Sequence, residues 1–392
     1  CISMLCHGEL FRLRPAPRYL TSFYLMIAAG GPLGSVAVTL AAPLVFSSFV
    51  EWKLALVGGF VLAAVLGLGG IRQAVVGGDR ATCAAKGPWQ LSAALRAGGA
   101  LLAIGALVEI VHLLTSDELS NRALLAQVRN FYGVLSVADE HPDSPSEHTR
   151  ALYHGLTTHG TQLLAADLRE TPVAYYIAES GIGQVLTFYG ERGPLRLGVV
   201  GQGAGALAAY LRKPGDAVRF YEINPEVPRL ADAYFTYLAD AKRRGATIET
   251  VLGDARLALE RESSTPQQFD VLVLDAFSGD AIPNHLLTRE AFAIFVPHLK
   301  SDGAMAVHIS NRYLDLAPVV YGLAEHFGLE ARRVFSVDVK HGGWGADWII
   351  LSKNRQLLDA LHQVEGSIPR DPPKPPFPLW TDQQHNLLEV LR

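Results

Sequence analysis

The sequence predicts two to three N-terminal transmembrane α-helices, then a small β-hairpin domain, then an α/β domain built on an open sheet. Three observations lead there. Two long runs without a charged residue lie near the N-terminus, from Tyr19 to Val50 and from Leu54 to Ile71, and about 20 apolar residues cross a bilayer core as a helix. Past Asp117 the composition turns globular and short alternating runs appear. Between Leu195 and Pro283, four apolar runs each end in a glycine or a carboxylate. Strands of an open α/β sheet present ligand-binding groups at their carboxyl ends in this way.

Bulk properties exclude several classes. The chain has 392 residues, 49% of them hydrophobic and 18% charged, with a mean hydropathy of +0.19. That is too apolar for an ordinary soluble enzyme. A net charge of -4 and a pI near 6.4 leave no electrostatic footprint for nucleic acid. The three cysteines, Cys1, Cys6 and Cys83, precede the α/β region, so no disulfide framework is implied.

The membrane segment is assigned to residues 1–116. The chain opens at Cys1 rather than at methionine and reads as a fragment lacking earlier spans. A third apolar stretch, Leu91 to Leu114, contains Arg96, Glu109 and His112. Ionisable groups at membrane depth are functional candidates, although headgroup contact explains the last two equally. Arg12, Arg14 and Arg18 before the first run, and Arg72, Arg80 and Lys86 after the second, put both loops on the cytoplasmic side. A third full span would then export the C-terminal domain. The domain is nonetheless assigned to the cytoplasmic side of the membrane.

Residues 117–190 form the β-rich domain. Arg129 to Val137 alternates like one half-buried strand, and Asp139 to Ser146 reads as a loop. His154 and His159, five apart on strand-like backbone, should point to opposite faces and make a poor metal pair. The third domain, 191–366, opens with Leu195 to Gly201 and then Gly201-Gln-Gly203-Ala-Gly205, a strand, a glycine turn and a helix-like pattern. Glycine supplies positive φ and close backbone approach there. Glu222 ends the second run, about twenty residues on, where acidic side chains hold ribose hydroxyls. Gly253-Asp254-Ala255 ends the third run and Asp275 the fourth. A dinucleotide fits the glycines but has no use for Asp254 and Asp275. Leu286 to Leu299 reads as a helix, Ala304 to Ser310 and Asp347 to Ser352 as strands, and 367–392 as a proline-rich tail ending in a short helix. A Ser-His-Asp hydrolase built on Ser310, His308 and Asp315 lacks the GxSxG elbow.

Gly201 to Gly205, Glu222, Gly253-Asp254-Ala255 and Asp275 resemble the class I Rossmann fold of S-adenosylmethionine-type transferases, and within it the spermidine synthases. Phe220 to Pro225, Asp275 to Thr288 and His308 to Asp315 are similar to a bacterial subgroup fused to membrane segments, the major-facilitator/spermidine synthase fusions. The resemblance implies aminopropyl transfer from decarboxylated S-adenosylmethionine to an amine or polyamine, without a metal. By it, Asp275 is the catalytic base; Gly201, Gly203, Gly205, Glu222, Asp254, Ala255 and Gln162 surround the cofactor; Tyr175, Tyr176 and Asp280 meet the amine. It places the chain at a lipid bilayer, with homo-oligomerisation open.

Two departures matter. Spermidine synthases carry an aspartate in the glycine turn where this chain has Ala204. They carry another where it has Ser278, with Asp280 two residues on. Losing two carboxylates leaves two other readings: an S-adenosylmethionine-dependent methyltransferase, and a membrane transport or sensor protein with a non-catalytic nucleoside-binding domain.

Overall fold

The computed structural model describes residues 2–76, 103–108, 110–111, 123–145, 147–277, 283–336, 344–362 and 372–392. The chain divides into two units, Cys1–Asn121 with Val128–Val134, and Arg122–Gln127 with Leu135–Arg392.

The first unit holds α1 (Ile2–Arg12), α2 (Leu20–Val36), α3 (Ala42–Val45) and α4 (Val50–Val76). From Pro17 to Val45 the backbone stays helical for 29 residues with a mean hydropathy of 1.7. Pro43 has no N–H to donate to Thr39, and the backbone widens into a π-turn at Ala37–Ala41 just before it. Met26 and Leu44 on this helix are 72% and 87% exposed, so no protein core covers them. Among the described residues this is the one helix long and apolar enough to cross a membrane, where the sequence predicts two to three. A single such helix near an N-terminus serves equally as a span or a signal sequence. The second run lies within α4. Arg96, Glu109 and His112 of the third fall outside the described residues.

Next along the chain comes a four-stranded antiparallel sheet in the order β1 (Ala123–Asn130), β2 (Gly133–Glu140), β3 (Thr149–His154), β4 (Thr157–Leu163). Arg129 to Val137 is therefore not one strand. It breaks at Phe131–Tyr132, and Gly133 supplies a φ of 127° for the turn. His154 and His159 are likewise on consecutive strands, either side of Gly155–Leu156, with ring centroids 5.5 Å apart. A tight hairpin brings together what a single strand would have separated. Among the described residues no three His, Cys, Asp or Glu side chains gather as a metal site.

The main sheet is preceded by α5 (Gly181–Arg192). It then runs through β5 (Arg196–Val200), β6 (Ala217–Glu222), α6 (Glu226–Tyr234), α7 (Tyr237–Arg243), β7 (Thr247–Leu252) and α8 (Ala255–Arg261). It continues with β8 (Phe269–Leu274), α9 (Arg289–Phe295), β9 (Leu299–His308), α10 (Ala317–Phe327), β10 (Glu330–Ser336) and β11 (Ala346–Ser352). The spatial order is β10-β11-β9-β8-β5-β6-β7. Strands β5 to β9 are parallel and β11 and β10 antiparallel. β8 is buried along its whole length, as a central parallel strand must be. Val271 and Val273 pack into one apolar core with Leu186, Phe220 and Trp348, while Leu272 and Leu274 pack into the other with Phe292 and Ile349. The chain moves outward from β5 through β6 to β7, then returns to β8 on β5's other side. The carboxyl ends of β5 and β8 thus form the switch point where open α/β sheets bind ligands.

The turn after β5 departs from expectation. Ala206–Tyr210 is a five-residue 3-10 turn, not an α-helix, so it provides no helix-end dipole for an anion. The glycines serve close packing within the protein. A Cβ at Gly201, φ 94°, would lie 2.6 Å from the Asp275 carbonyl oxygen, and one at Gly203, φ 53°, 2.4 Å from that of His159. Gly253 also has positive φ, 132°, but open space around it. Gly201→Ala and Gly203→Ala should each cost on the order of 1–3 kcal/mol, and Gly253→Ala less. Chemical denaturation of the three variants checks this, and equal costs would mean that backbone strain alone sets the requirement.

Candidate active site

Asp275 follows β8 directly, and its backbone N–H donates to the Val200 carbonyl at 3.0 Å. Its side chain is only 4% exposed, so its oxygens need donors. The Tyr176 hydroxyl donates to Oδ2. The His308 ring, at the end of β9, meets Oδ1 through Nδ1 at 2.7 Å. Burial, and then the Asp275 charge, push both the Tyr175 and Tyr176 phenols up, so Tyr176 stays protonated and able to donate. Ala174 has a left-handed φ of 57°, a conformation costing alanine on the order of 1 kcal/mol, immediately before the Tyr175–Tyr176 pair.

An aromatic box surrounds His308. Trp348 stacks on it at 4.4 Å and 13°, Tyr175 at 5.0 Å and 30°, and Phe277 meets it edge-on at 5.1 Å. Trp348 sits opposite His308 in the β11–β9 ladder and donates from its indole to the Tyr175 carbonyl. The stack joins two strands and the Tyr175–Tyr176 connection around one carboxylate.

The second part of the site lies at β6 and β7. Glu222 is 8% exposed. Its two oxygens accept from the backbone N–H groups of Gln202 and Asn224, each at 2.9 Å, and retain lone pairs for further donors. Burial raises its pKa against the pull of those N–H groups. Beside it, the Gln202 carboxamide accepts from the Thr250 hydroxyl at 2.9 Å, while its Nε2 is buried without a partner. A buried amide with one open end is suited to a polar ligand.

The other predicted residues are placed variously. Tyr175 and Tyr176 join Asp275 as expected. Asp254 caps α8, accepting from Leu257 N at 3.0 Å, and its other oxygen meets His285 Nε2 at 2.9 Å. Ala255 is the buried first residue of that helix. Gln162 is fully buried, and its amide is engaged on protein: Nε2 donates to Arg169 O and Thr236 Oγ1, and Oε1 accepts from Thr236 N. It ties β4 to the start of α7, contrary to the expected approach to a nucleoside. Asp280 and Ser278 lie outside the described residues. Ala204 is buried with its Cβ against Gly160, where an added Cβ would come within 2.6 Å.

Sequence reasoning missed Gln202, Trp348 and the partnership of His308 with Asp275. Residue 202 was hidden by reading the turn for its glycines alone. The other two belong to strand ends that only the sheet order makes neighbours.

No family model matches the chain. A 117-residue stretch, 29% of the chain, is 32% identical to a polyamine aminopropyltransferase of Vibrio vulnificus (strain CMCP6) and spans 38% of that protein. A 115-residue stretch is 33% identical to an N-terminal histidine N-methyltransferase of Emericella nidulans and spans 19% of it. The chain therefore matches well under half the length of these curated relatives. Among solved structures, spermidine synthase from Thermotoga maritima is similar at 15% identity and a TM-score of 0.44, over 61% of this chain and 76% of that one. The sequence likeness to a polyamine aminopropyltransferase is therefore confined to one 117-residue stretch.

The raised pKa of Glu222 has a measurable consequence. The fold favours its protonated form, so that contribution to stability is fully present below the ordinary value of 4.5 and is lost as pH rises through the higher folded value. Ligand-free stability followed by chemical denaturation from about pH 4 to about pH 8 should carry this downward contribution. Glu222→Ala should remove it, and an unchanged slope would show that the burial is tolerated at no cost.

Proposed function

We propose that the chain is a membrane-associated aminopropyltransferase-like enzyme, transferring the three-carbon amine of decarboxylated S-adenosylmethionine to an amine acceptor. The observation that carries this is a buried carboxylate, Asp275, at the switch point of the sheet, with the Tyr176 hydroxyl donating to one oxygen and the His308 ring against the other. An acceptor amine is protonated near neutrality. Asp275 takes one proton from its ammonium group, freeing the nitrogen lone pair. The lone pair attacks the carbon beside the sulfonium as the C–N bond forms. The C–S bond breaks with its electrons passing to sulfur, which leaves as the neutral thioether of methylthioadenosine. Tyr176 and His308 hold the carboxylate in place during attack, and alignment of nitrogen, carbon and sulfur supplies much of the rate. On the nucleoside side, Glu222 accepts from ribose hydroxyls, and the open end of the Gln202 amide bonds the same nucleoside. Asp254 and Ala255 border the adenine.

One observation favours methyl transfer from S-adenosylmethionine instead. Ala204 puts no carboxylate in the turn, where one would pair with the lone ammonium of the decarboxylated donor and repel the carboxylate that S-adenosylmethionine retains. The second curated relative, named as an N-methyltransferase, is compatible with that reading.

Calorimetric binding of decarboxylated S-adenosylmethionine, S-adenosylmethionine and methylthioadenosine to the detergent-solubilised chain separates the two. Preference for the decarboxylated form by about tenfold, or ~1.4 kcal/mol, is expected, with Glu222→Ala abolishing binding. Asp275→Asn should retain binding while losing aminopropyl transfer to putrescine, the trial acceptor, by at least ~100-fold. Preference for S-adenosylmethionine would move the assignment to methyl transfer, and binding of none of the three would remove both. The Pro17–Val45 helix should keep the expressed chain in the membrane fraction through alkaline carbonate extraction. Release into the supernatant would rule out an integral membrane anchor.

A further inference from the structure

We propose that His308 is a positioning residue, locked as its Nδ1–H tautomer by a one-way chain of donors that begins at the Asp347 backbone N–H and ends on Asp275. The inference rests on the base role of Asp275 proposed above. Its geometry stands independently.

A backbone N–H can only donate. That of Asp347 donates to Ser310 Oγ at 2.9 Å, so the serine oxygen accepts there. The rest of Asp347 is fixed: its carbonyl accepts from Ile309 N at 2.8 Å, and its carboxylate forms a buried bidentate pair with Arg333 at 2.9 and 2.6 Å. The Ser310 hydroxyl retains one proton, and His308 Nε2 lies 2.8 Å away. If the hydroxyl donates to Nε2, the ring proton must be on Nδ1, facing Asp275 Oδ1. The opposite tautomer turns the Nδ1 lone pair toward a carboxylate oxygen at 2.7 Å, which is repulsive unless Asp275 is protonated. A protonated Asp275 could accept no proton from an amine. The Nδ1–H tautomer instead points a donor at Oδ1 while Tyr176 donates to Oδ2, which holds both oxygens in place.

The same contacts fix the ring's plane. Trp348 and Tyr175 stack on its faces and Phe277 meets it edge-on, so the imidazole cannot turn over without breaking these contacts. Among the described residues, the titratable groups facing His308 and Asp275 are each other, Tyr175 and Tyr176; the Arg333–Asp347 pair stands behind Ser310. His308 thus sets the orientation of Asp275 and acts on the substrate only through it, and Ser310 sets the tautomer of His308.

The test uses the full chain in detergent. Nitrogen NMR of 15N-histidine-labelled protein, with the His308 resonances identified by their loss in His308→Asn, should give the Nδ1–H tautomer at neutral pH. The Nε2–H tautomer would overturn the proposal, and this readout is independent of any transfer activity. In the transfer assay, His308→Phe keeps an aromatic ring in the stack but removes the donor. It should lower kcat at neutral pH by about tenfold with KM for the amine changed by no more than about twofold, because binding survives while the base loses its orientation. His308→Asn, with a donor near the Nδ1 position, should restore most of that loss. An unchanged kcat in His308→Phe would sink the positioning role. If the unmodified chain transfers nothing while His308 carries Nδ1–H, the reaction assignment falls and the donor chain stands.

Discussion

The active end of this molecule depends on keeping a negative charge out of water. Asp275 is buried at the seam between β5 and β8, and an ionised carboxylate there is tolerated only if its oxygens are bonded. Four segments are committed to that condition. Gly201 surrenders its side chain so that the Asp275 backbone can sit against it. Ala174 takes a left-handed conformation just before Tyr176, which supplies one donor. β9 supplies His308, and β11 supplies both the stacking Trp348 and the N–H that orders Ser310. The antiparallel β11 thereby acts on the site although its strand contributes no group that touches Asp275.

The nucleoside side follows a different rule. Glu222 and Gln202 are buried polar groups whose bonding is incomplete in the chain alone: the carboxylate has spare lone pairs, and the amide has an end with no partner. Folds keep such groups where a ligand completes them, at a cost to the free protein. The Asp275 end has a partner on each oxygen within the chain, whereas the Glu222–Gln202 end keeps open bonding capacity. That division suits a binding group and a base, which have different needs. One must gain bonds on association; the other must hold its geometry as a proton moves.

Much of the sheet is legible in the sequence because strand ends at 200, 222, 252 and 274 follow apolar runs that terminate in glycine or a carboxylate. β10 is not, since Glu330, Arg332 and Arg333 interrupt its pattern; it is an edge strand, where charges are favoured. The helix expected after the glycine turn shrinks to a 3-10 turn because its residues, Ala206 to Tyr210, are all buried against neighbouring elements. Tertiary packing overrides local preference there. Glu222, Asp275, Tyr175 and Tyr176 were found from position and resemblance. His308 was visible as a residue, but its partnership with Asp275 spans 33 positions and two strand ends, which no local spacing encodes. Gln162 shows the reverse failure, a matching position whose side chain the fold spends on Thr236.

The remaining question of donor turns on Ala204. An aspartate in the glycine turn would bring a carboxylate to the face of β4, but Ala204 already meets Gly160 there, and Gly160, at φ 145°, sits where its own Cβ would come within 2.6 Å of the Ala204 methyl. The two positions are complementary: the missing side chain of Gly160 leaves the space that the Ala204 methyl fills. With no charge in the turn, the Tyr175 ring, packed on His308 and Trp344, is the aromatic surface beside Asp275, and aromatic faces attract ammonium groups by about 0.5–2 kcal/mol. A carboxylate that pairs with one ammonium is not free to take a proton from another. S-adenosylmethionine balances its ammonium with its own carboxylate, whereas the decarboxylated donor would bring an unbalanced second cation to a site with one buried carboxylate, so the two donors make different demands on the same residues.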